Sequence, residues 1–355
     1  MDGSFRDGVV HLSGNARQQF YDSGGYGRPA GGSDLELAPV EAAHLLYRGD
    51  LDAVSDETGD PDRAGGSDAG TSMGFREFLT RTDVVLPFVV YKDLRDRGFY
   101  LSPARDGWVD EGVDDETDFV VYPRGKGPAD DEIEHRLRVV GERASLAAES
   151  FDGHVLAVVD EDGELTYFGT EWLTPSGSAD PPLPDQLDAT LMDDRLLVWD
   201  PPEPLYEGGF FGQRLAGRNA DSGPLQLSLL EAAYLAERGC LDIDAESVSS
   251  HAETVEGERF DRRYAAYAAL RESGAVPKSG FKFGADFRVY EAFDGLSDLG
   301  HSDKLVRVVE RDHEFLPREL SLDVRLAGGV RKRMVFALTG PTDAIDWLSV
   351  ERITP

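Results

Sequence analysis

Apolar residues recur along this chain at two spacings, and the order of the segments they define occurs twice. Glu41–Asp52 (EAAHLLYRGDLD) has the same pattern as Glu231–Asp242 (EAAYLAERGCLD), and Tyr91–Gly98 (YKDLRDRG) the same as Tyr267–Gly274 (YAALRESG). Phe20–Gly27 matches Leu205–Gly212, Thr117–Tyr122 matches Ala285–Tyr290, and Leu137–Arg143 matches Val306–Asp312. A shared order of five segments marks an internal duplication. In the second copy, Leu227, Leu230, Ala233 and Tyr234 recur at helical spacing. Phe260, Tyr264, Tyr267 and Leu270 line one face of a second helix, which Gly274 closes as a C′ residue, as Gly98 does in the first copy. Phe287–Tyr290 and Lys304–Val309 are rich in β-branched and aromatic residues and predict strands. Pro317 then opens a helix as its first residue and carries Leu320, Val324 and Ala327. Strands at Met334–Leu338 and Trp347–Ile353 follow.

The elements predict an α/β (α+β) fold of two tandem repeats, each an N-terminal α/β subdomain followed by a mixed sheet with flanking helices. The expected boundaries are 1–80 and 81–175 for the two subdomains of the first repeat, and 186–256 and 257–355 for those of the second. A Pro-rich linker, SGSADPPLPD, occupies 176–185 between them. Asp56–Gly70 is a soft insert inside the first repeat.

Composition changes the picture in one respect, charge. The chain has 355 residues, 40% of them hydrophobic, enough for more than one core. Its 68 acidic against 36 basic residues give a net charge of −32, which on its face argues against a nucleic-acid partner. The acid is spread along the chain, however, and only six of the basic residues are Lys. A pervasively acidic, Lys-poor chain with 10% aromatic residues resembles proteins of salt-loving archaea. In molar salt the Debye length is only about 3 Å, so self-repulsion is screened. No apolar run approaches a membrane span. The start, MDGSFRDGVV, has no secretory pattern, and the single cysteine, Cys240, excludes an internal disulfide. The expected compartment is the cytoplasm.

The chemistry concentrates in three stretches of the second repeat: Lys282–Tyr290 (KFGADFRVY), His301–Val309 (HSDKLVRVV) and Val324–Lys332 (VRLAGGVRK). Tyr290 ends one strand and His301 precedes the next, so the two lie at one end of the sheet. Lys332 begins a third strand beyond the Pro317 helix. RNA carries its own nucleophile, the 2′-hydroxyl beside each phosphate. An RNA-cleaving site therefore needs a base, an acid and a cation. Taken singly, each residue has a plainer reading: Tyr290 as a packing aromatic, His301 as a loop or capping residue, Lys332 as a solvated charge.

Together the three stretches resemble the catalytic repeat of archaeal tRNA-splicing endonucleases, in the two-repeat form that assembles as a homodimer. The resemblance implies Tyr290 as general base, His301 as general acid and Lys332 as stabiliser of the charged transition state. It implies precursor tRNA with a bulge–helix–bulge as substrate, 2′,3′-cyclic phosphate and 5′-hydroxyl ends as products, no cofactor, no metal and no DNA partner. It also implies that Arg325 and an Arg of the last strand, for which Arg352 is the candidate, stack on a bulged base. In the first repeat Tyr122 matches Tyr290, but Glu132 falls opposite His301 and Asp152 opposite Lys332. That repeat is expected to be inert and structural.

Three rival chemistries lack their residues. A Mg²⁺-dependent nuclease needs carboxylates converging near Lys332, and no such cluster is legible. Zinc has no ligand spacing here, and no GxxxxGK[ST] loop supports nucleotide hydrolysis. A non-catalytic RNA-binding subunit would have no use for an intact Tyr290, His301 and Lys332.

Overall fold

The computed structural model describes residues 1–58, 71–109, 113–130, 132–151, 153–217, 220–340 and 344–355. It divides into two units, one of residues 1–144, 150–169 and 353–355, the other of residues 145–149 and 170–352. The division falls inside one strand, Leu165–Leu173, ahead of the Pro-rich stretch at 176–185.

The first unit opens with β1 (Asp2–Arg6), β2 (Val9–Leu12), β3 (Arg28–Gly31), β4 (Asp34–Leu37), β5 (Ala53–Asp56) and β6 (Ser72–Met73), in the order β3-β4-β2-β1-β5-β6. Helix α1 (Pro39–Arg48) lies between β4 and β5, and α2 (Phe75–Thr82) and α3 (Val85–Asp96) follow β6. A second sheet has the order β7-β8-β9-β10-β11, from Leu101–Pro103, Phe119–Val121, His135–Gly141, Val155–Val159 and Leu165–Leu173. Only the β9–β10 pair within it is parallel.

The second unit repeats this plan. An antiparallel sheet of β12 (Ala189–Leu191), β13 (Arg195–Val198), β14 (Gln213–Arg214) and β15 (Leu225–Ser228) precedes α4 (Leu229–Glu237), α5 (Ala245–Glu256) and α6 (Arg259–Glu272). Then come β16 (Val276–Ser279), β17 (Phe287–Tyr290), β18 (Lys304–Glu310), α7 (Pro317–Gly329), β19 (Arg333–Thr339) and β20 (Asp346–Ile353), paired in that sequence. β18 and β19 run parallel because α7 carries the chain back between them.

The second unit shows why these residues choose these elements. Ser228 caps α4: its hydroxyl accepts from the Glu231 backbone N–H while Glu231 reaches back to the Ser228 N–H. Leu227, counted with the helix by spacing, is the strand residue before that cap. In α6, Phe260, Tyr267 and Leu270 are buried; each such side chain contributes about 1.5–3 kcal/mol by leaving water. Gly274 follows with φ +80°, and its N–H donates to Arg271, the arrangement that closes a helix through a left-handed residue. Helix α5 has no counterpart in the periodicity reading. Its buried residues are only Val248 and Ala252, too sparse for a helical stripe; its clearest mark is Asp244, whose carboxylate caps the Ser247 N–H.

Each unit has its own core. One gathers Leu196, Phe211, Leu235, Tyr267, Val289 and Val335, the other Val10, Leu37, Phe78, Tyr91, Leu101 and Leu137, with their neighbours. Among the described residues no helix is long and apolar enough to cross a membrane.

Candidate active site

Three strand ends meet at one edge of the second unit's sheet. β17 and β18 are antiparallel with Val289 opposite Lys304, and β18 and β19 are parallel with Lys304 opposite Arg333. This register brings the residue after Val289, the residues before Lys304 and the residue before Arg333 to the same edge. They are Tyr290, the His301–Asp303 segment and Lys332. Two strand spacings separate the outer pair, on the order of 10 Å between backbones.

Asp303 ties that edge together. Its backbone N–H donates to Val289 O, its carbonyl accepts from the Arg333 N–H, and its carboxylate accepts from the Glu291 N–H at 3.0 Å. Tyr290 is held from behind by aromatic packing: Phe210 lies 6.1 Å from its ring and stacks on Phe293. The residue is buried, yet it lines an open cleft of about 910 Å³, shared with His301, Ser302, Lys332, Lys282, Phe283 and Arg288. His301 is exposed there.

Lys332 reaches the cleft through the end of α7. The helix stops at Gly329, Arg331 takes the left-handed conformation at φ +56°, and the Lys332 N–H returns to Ala327 O. The Lys332 ammonium donates to the carbonyl of Ser302 and stands 5.9 Å above the Phe283 ring. Burial pushes its pKa below the ordinary lysine value and Arg288 nearby acts in the same sense, while Asp303 opposes them.

The two arginines read as base-stacking candidates lie outside this cleft lining. Arg325 is exposed on α7, one turn from its end. Seven positions separate it from Lys332 in sequence, but the last three, Val330, Arg331 and Lys332, lie beyond the helix. Arg352 is exposed on β20; extending the Met334–Val350 register by two residues places it opposite Lys332 at the same end of the sheet. Sequence reasoning did not single out Gln213, Phe283, Lys282 or Arg288 as cleft residues. Gln213 comes from the four-stranded sheet and had no local signal, whereas the other three stand inside the Lys282–Tyr290 stretch.

The corresponding edge of the first unit is built differently. The register of β8, β9 and β10 superposes on that of β17, β18 and β19: Phe119–Leu137–Val155 corresponds to Phe287–Val306–Val335. Tyr122 therefore stands where Tyr290 does, and its hydroxyl donates to Ser102 at 3.0 Å in a buried setting. Glu132, at the place of His301, is exposed and paired with Lys126 at 3.4 Å. Asp152 lies outside the described residues. Leu146 forms an antiparallel bridge with Phe315. Among the described residues, no group of three or more His, Cys, Asp or Glu side chains is placed to hold a metal ion.

A fold of this plan, with a tyrosine, a histidine and a lysine converging at a sheet edge, is that of a nuclease repeat. The model of the tRNA intron endonuclease catalytic C-terminal domain matches residues 260–347, and that of the N-terminal domain matches residues 1–61 and 187–253. The chain is 64% identical, over the full length of both proteins, to a tRNA-splicing endonuclease of Haloferax volcanii, and 52% identical over the full length to one of Halobacterium salinarum. It is 36% identical to one of Methanococcoides burtonii, with 95% of each chain covered. The chain belongs to the tRNA intron endonuclease family, and as such it is an endoribonuclease. Its halophilic relatives agree with the salt adaptation read from its acidic, Lys-poor composition.

Proposed function

We propose that this chain excises introns from precursor tRNA at bulge–helix–bulge sites without a metal ion. Tyr290, as phenolate, takes the proton of the 2′-hydroxyl. That oxygen attacks the adjacent phosphorus, His301 gives a proton to the departing 5′-oxygen, and Lys332 balances the charge on the phosphorane. The products are a 2′,3′-cyclic phosphate and a 5′-hydroxyl. The observation that carries this reading is the convergence of the three residues on one cleft. The Ser302 carbonyl, which aims the Lys332 ammonium, adds to it. Arg325 and Arg352 hold a bulged base by stacking, a contact that survives high salt better than phosphate attraction does. The first repeat is inert and structural, and the protein works as a cytoplasmic homodimer.

The test is cleavage of a bulge–helix–bulge RNA in EDTA at high KCl, with analysis of the product ends and light scattering on the same sample. Persistent cleavage, cyclic phosphate ends and a mass about twice the 38.8 kDa chain are expected. Strict Mg²⁺ dependence or a 5′-phosphate product would overturn the mechanism, and a fully active monomer would overturn the assembly.

A further inference from the structure

In a chain this acidic, a half-buried cation with neither a carboxylate nor a carbonyl partner is out of place, and Arg288, which lines the cleft, is such a cation among the described residues. Other cations near the sheet edge have partners: Lys304 pairs with Glu291, Arg263 with Glu256 and Asp286, Arg307 with Asp323 and Arg333 with Glu351, and Lys332 donates to the Ser302 carbonyl. Lys278 donates to Glu231 at 2.6 Å and to two backbone carbonyls. Arg288 has no hydrogen bond or ion pair among the described residues, and its Nε is shielded from solvent without an acceptor. Burying a guanidinium unmatched is costly, and an anion brought by a ligand would remove that cost.

Its position says which anion. Along β17, Phe287 and Val289 turn into the core and Arg288 points to the other face by the two-residue period of a strand; Tyr290, at the strand end, packs against the core and also lines the cleft. Two residues apart, their backbones stand about 7 Å from each other. Arg288 lines the same cleft as Tyr290, His301 and Lys332. It also acts electrostatically on Lys332, disfavouring the ammonium there. Two cations in the lining of one cleft, beside a tyrosine and a histidine, are matched by a phosphate diester. A guanidinium offers it parallel N–H donors, which a lysine cannot.

We propose that Arg288 is a phosphate-binding residue of this cleft, donating to non-bridging oxygens of the RNA phosphate that Tyr290 and His301 flank. This deepens the functional reading given above and rests on it for the identity of the ligand. Phosphate bound at Arg288 would also offset the repulsion that Arg288 exerts on Lys332, favouring the ammonium form.

The experiment uses the full chain and its Arg288→Gln and Arg288→Lys variants. Inorganic phosphate is titrated calorimetrically into the free protein, and single-turnover cleavage of the RNA is followed against pH. A charge-assisted hydrogen bond contributes about 1.5–3 kcal/mol, so Arg288→Gln should weaken phosphate binding and slow cleavage on the order of 10- to 100-fold. Arg288→Lys should recover only part of each. The alkaline limb of the pH profile should move upward in Arg288→Gln, because Lys332 loses the neighbour that repels its ammonium; a merely structural role would not move it. Unchanged phosphate binding in Arg288→Gln would overturn the proposal. So would a halved mass in light scattering with phosphate binding intact, which would assign the guanidinium to a carboxylate of a second copy. Failure of both variants to fold would overturn it as well, by making Arg288 structural. Phosphate binding that depends on Arg288 in a protein that cuts no RNA would keep this site and sink the intron-excision reading.

Discussion

The two repeats bury the same glutamate and treat it in opposite ways. Glu41 and Glu231 each sit at the third position of a helix and accept a hydrogen bond from a glycine N–H, Gly27 at 2.7 Å and Gly212 at 2.9 Å. Both also accept from the N–H of the helix cap. The carboxylate thus staples a turn to a helix in both units. Glu231 has Lys278 beside it as well; by strand register, Ser102 stands at the place of Lys278 in the first unit. Burial pushes the Glu41 carboxyl up to about 7. Burial would raise Glu231 too, but the Lys278 ammonium and the backbone donors hold it below the ordinary carboxylate value. The repeat with the cleft keeps a buried ion pair beside β17, the strand that ends in Tyr290. Its duplicate has a serine instead, occupied by the hydroxyl of Tyr122. Both tyrosines are buried, but Tyr122 is tied by its hydroxyl to Ser102, whereas Tyr290 lines the cleft.

The largest expected effect tests which repeat carries chemistry. His301→Ala should lower the cleavage rate on the order of 10²–10⁴-fold by removing the proton donor, and Glu132→Ala should leave it nearly unchanged. Loss of cleavage in a folded Glu132→Ala protein would reverse the assignment of the two halves.

A second comparison concerns pH and the two glutamates. Between the unfolded value near 4.5 and about 7, folded Glu41 binds a proton that the unfolded chain does not. Its contribution to stability is therefore greatest below 4.5 and is lost as pH rises through 7, by about 3 kcal/mol in all. Glu231 has the opposite sign: its contribution is present above the unfolded value and is lost as pH falls through the folded one. Amide exchange from pH 5 to 8 should speed up in Pro39–Arg48 and not in Leu229–Glu237, after correction for intrinsic rates. Lys278→Met, which leaves Glu231 buried alone, should cost about 3–5 kcal/mol and give the second helix the pH response of the first. Parallel responses in the wild type would remove the contrast.

The smallest effect separates the helix caps. Ser228 caps α4 with its hydroxyl, whereas Ala38 offers α1 none. Ser228→Ala should cost about 1 kcal/mol and Ala38→Ser should recover a similar amount in the first unit. Denaturant melts of both variants would show it, and equal, near-zero changes would mean that the buried glutamates alone hold these helix starts.

Much of this was legible in the chain because local chemistry and tertiary demand agreed. Strand β17 was readable from Phe287–Tyr290, where alternating burial and β-forming residues coincide. Strands β18 and β19 were readable from their β-branched runs, and α6 from a wide apolar face and a glycine stop. Helix α5 was hidden because it buries two small contacts and is otherwise polar. The end of α7 was misplaced because Arg331, a residue with a Cβ, adopts the conformation expected of glycine, which no pattern announces. In the cleft, the tyrosine, histidine and lysine were visible as members of three linear stretches. Arg288 was not, since what distinguishes it is the carboxylate it lacks, and only the packing around it reveals that.

The crossover between the two parallel strands shows what duplication allows. Twenty-two residues run from Glu310 to Arg333 in the second unit, including the thirteen-residue helix α7. Thirteen run from Gly141 to Val155 in the first, with only a short 3₁₀ turn at Ala148–Phe151. Both routes set their strands in the same register, so the sheet does not require the helix. What α7 adds is a rigid arm that ends beside the cleft and carries Arg325 on its outer face. The strand register is thus indifferent to the length of the connection, and the longer one is free to carry side chains to the rim of the cleft.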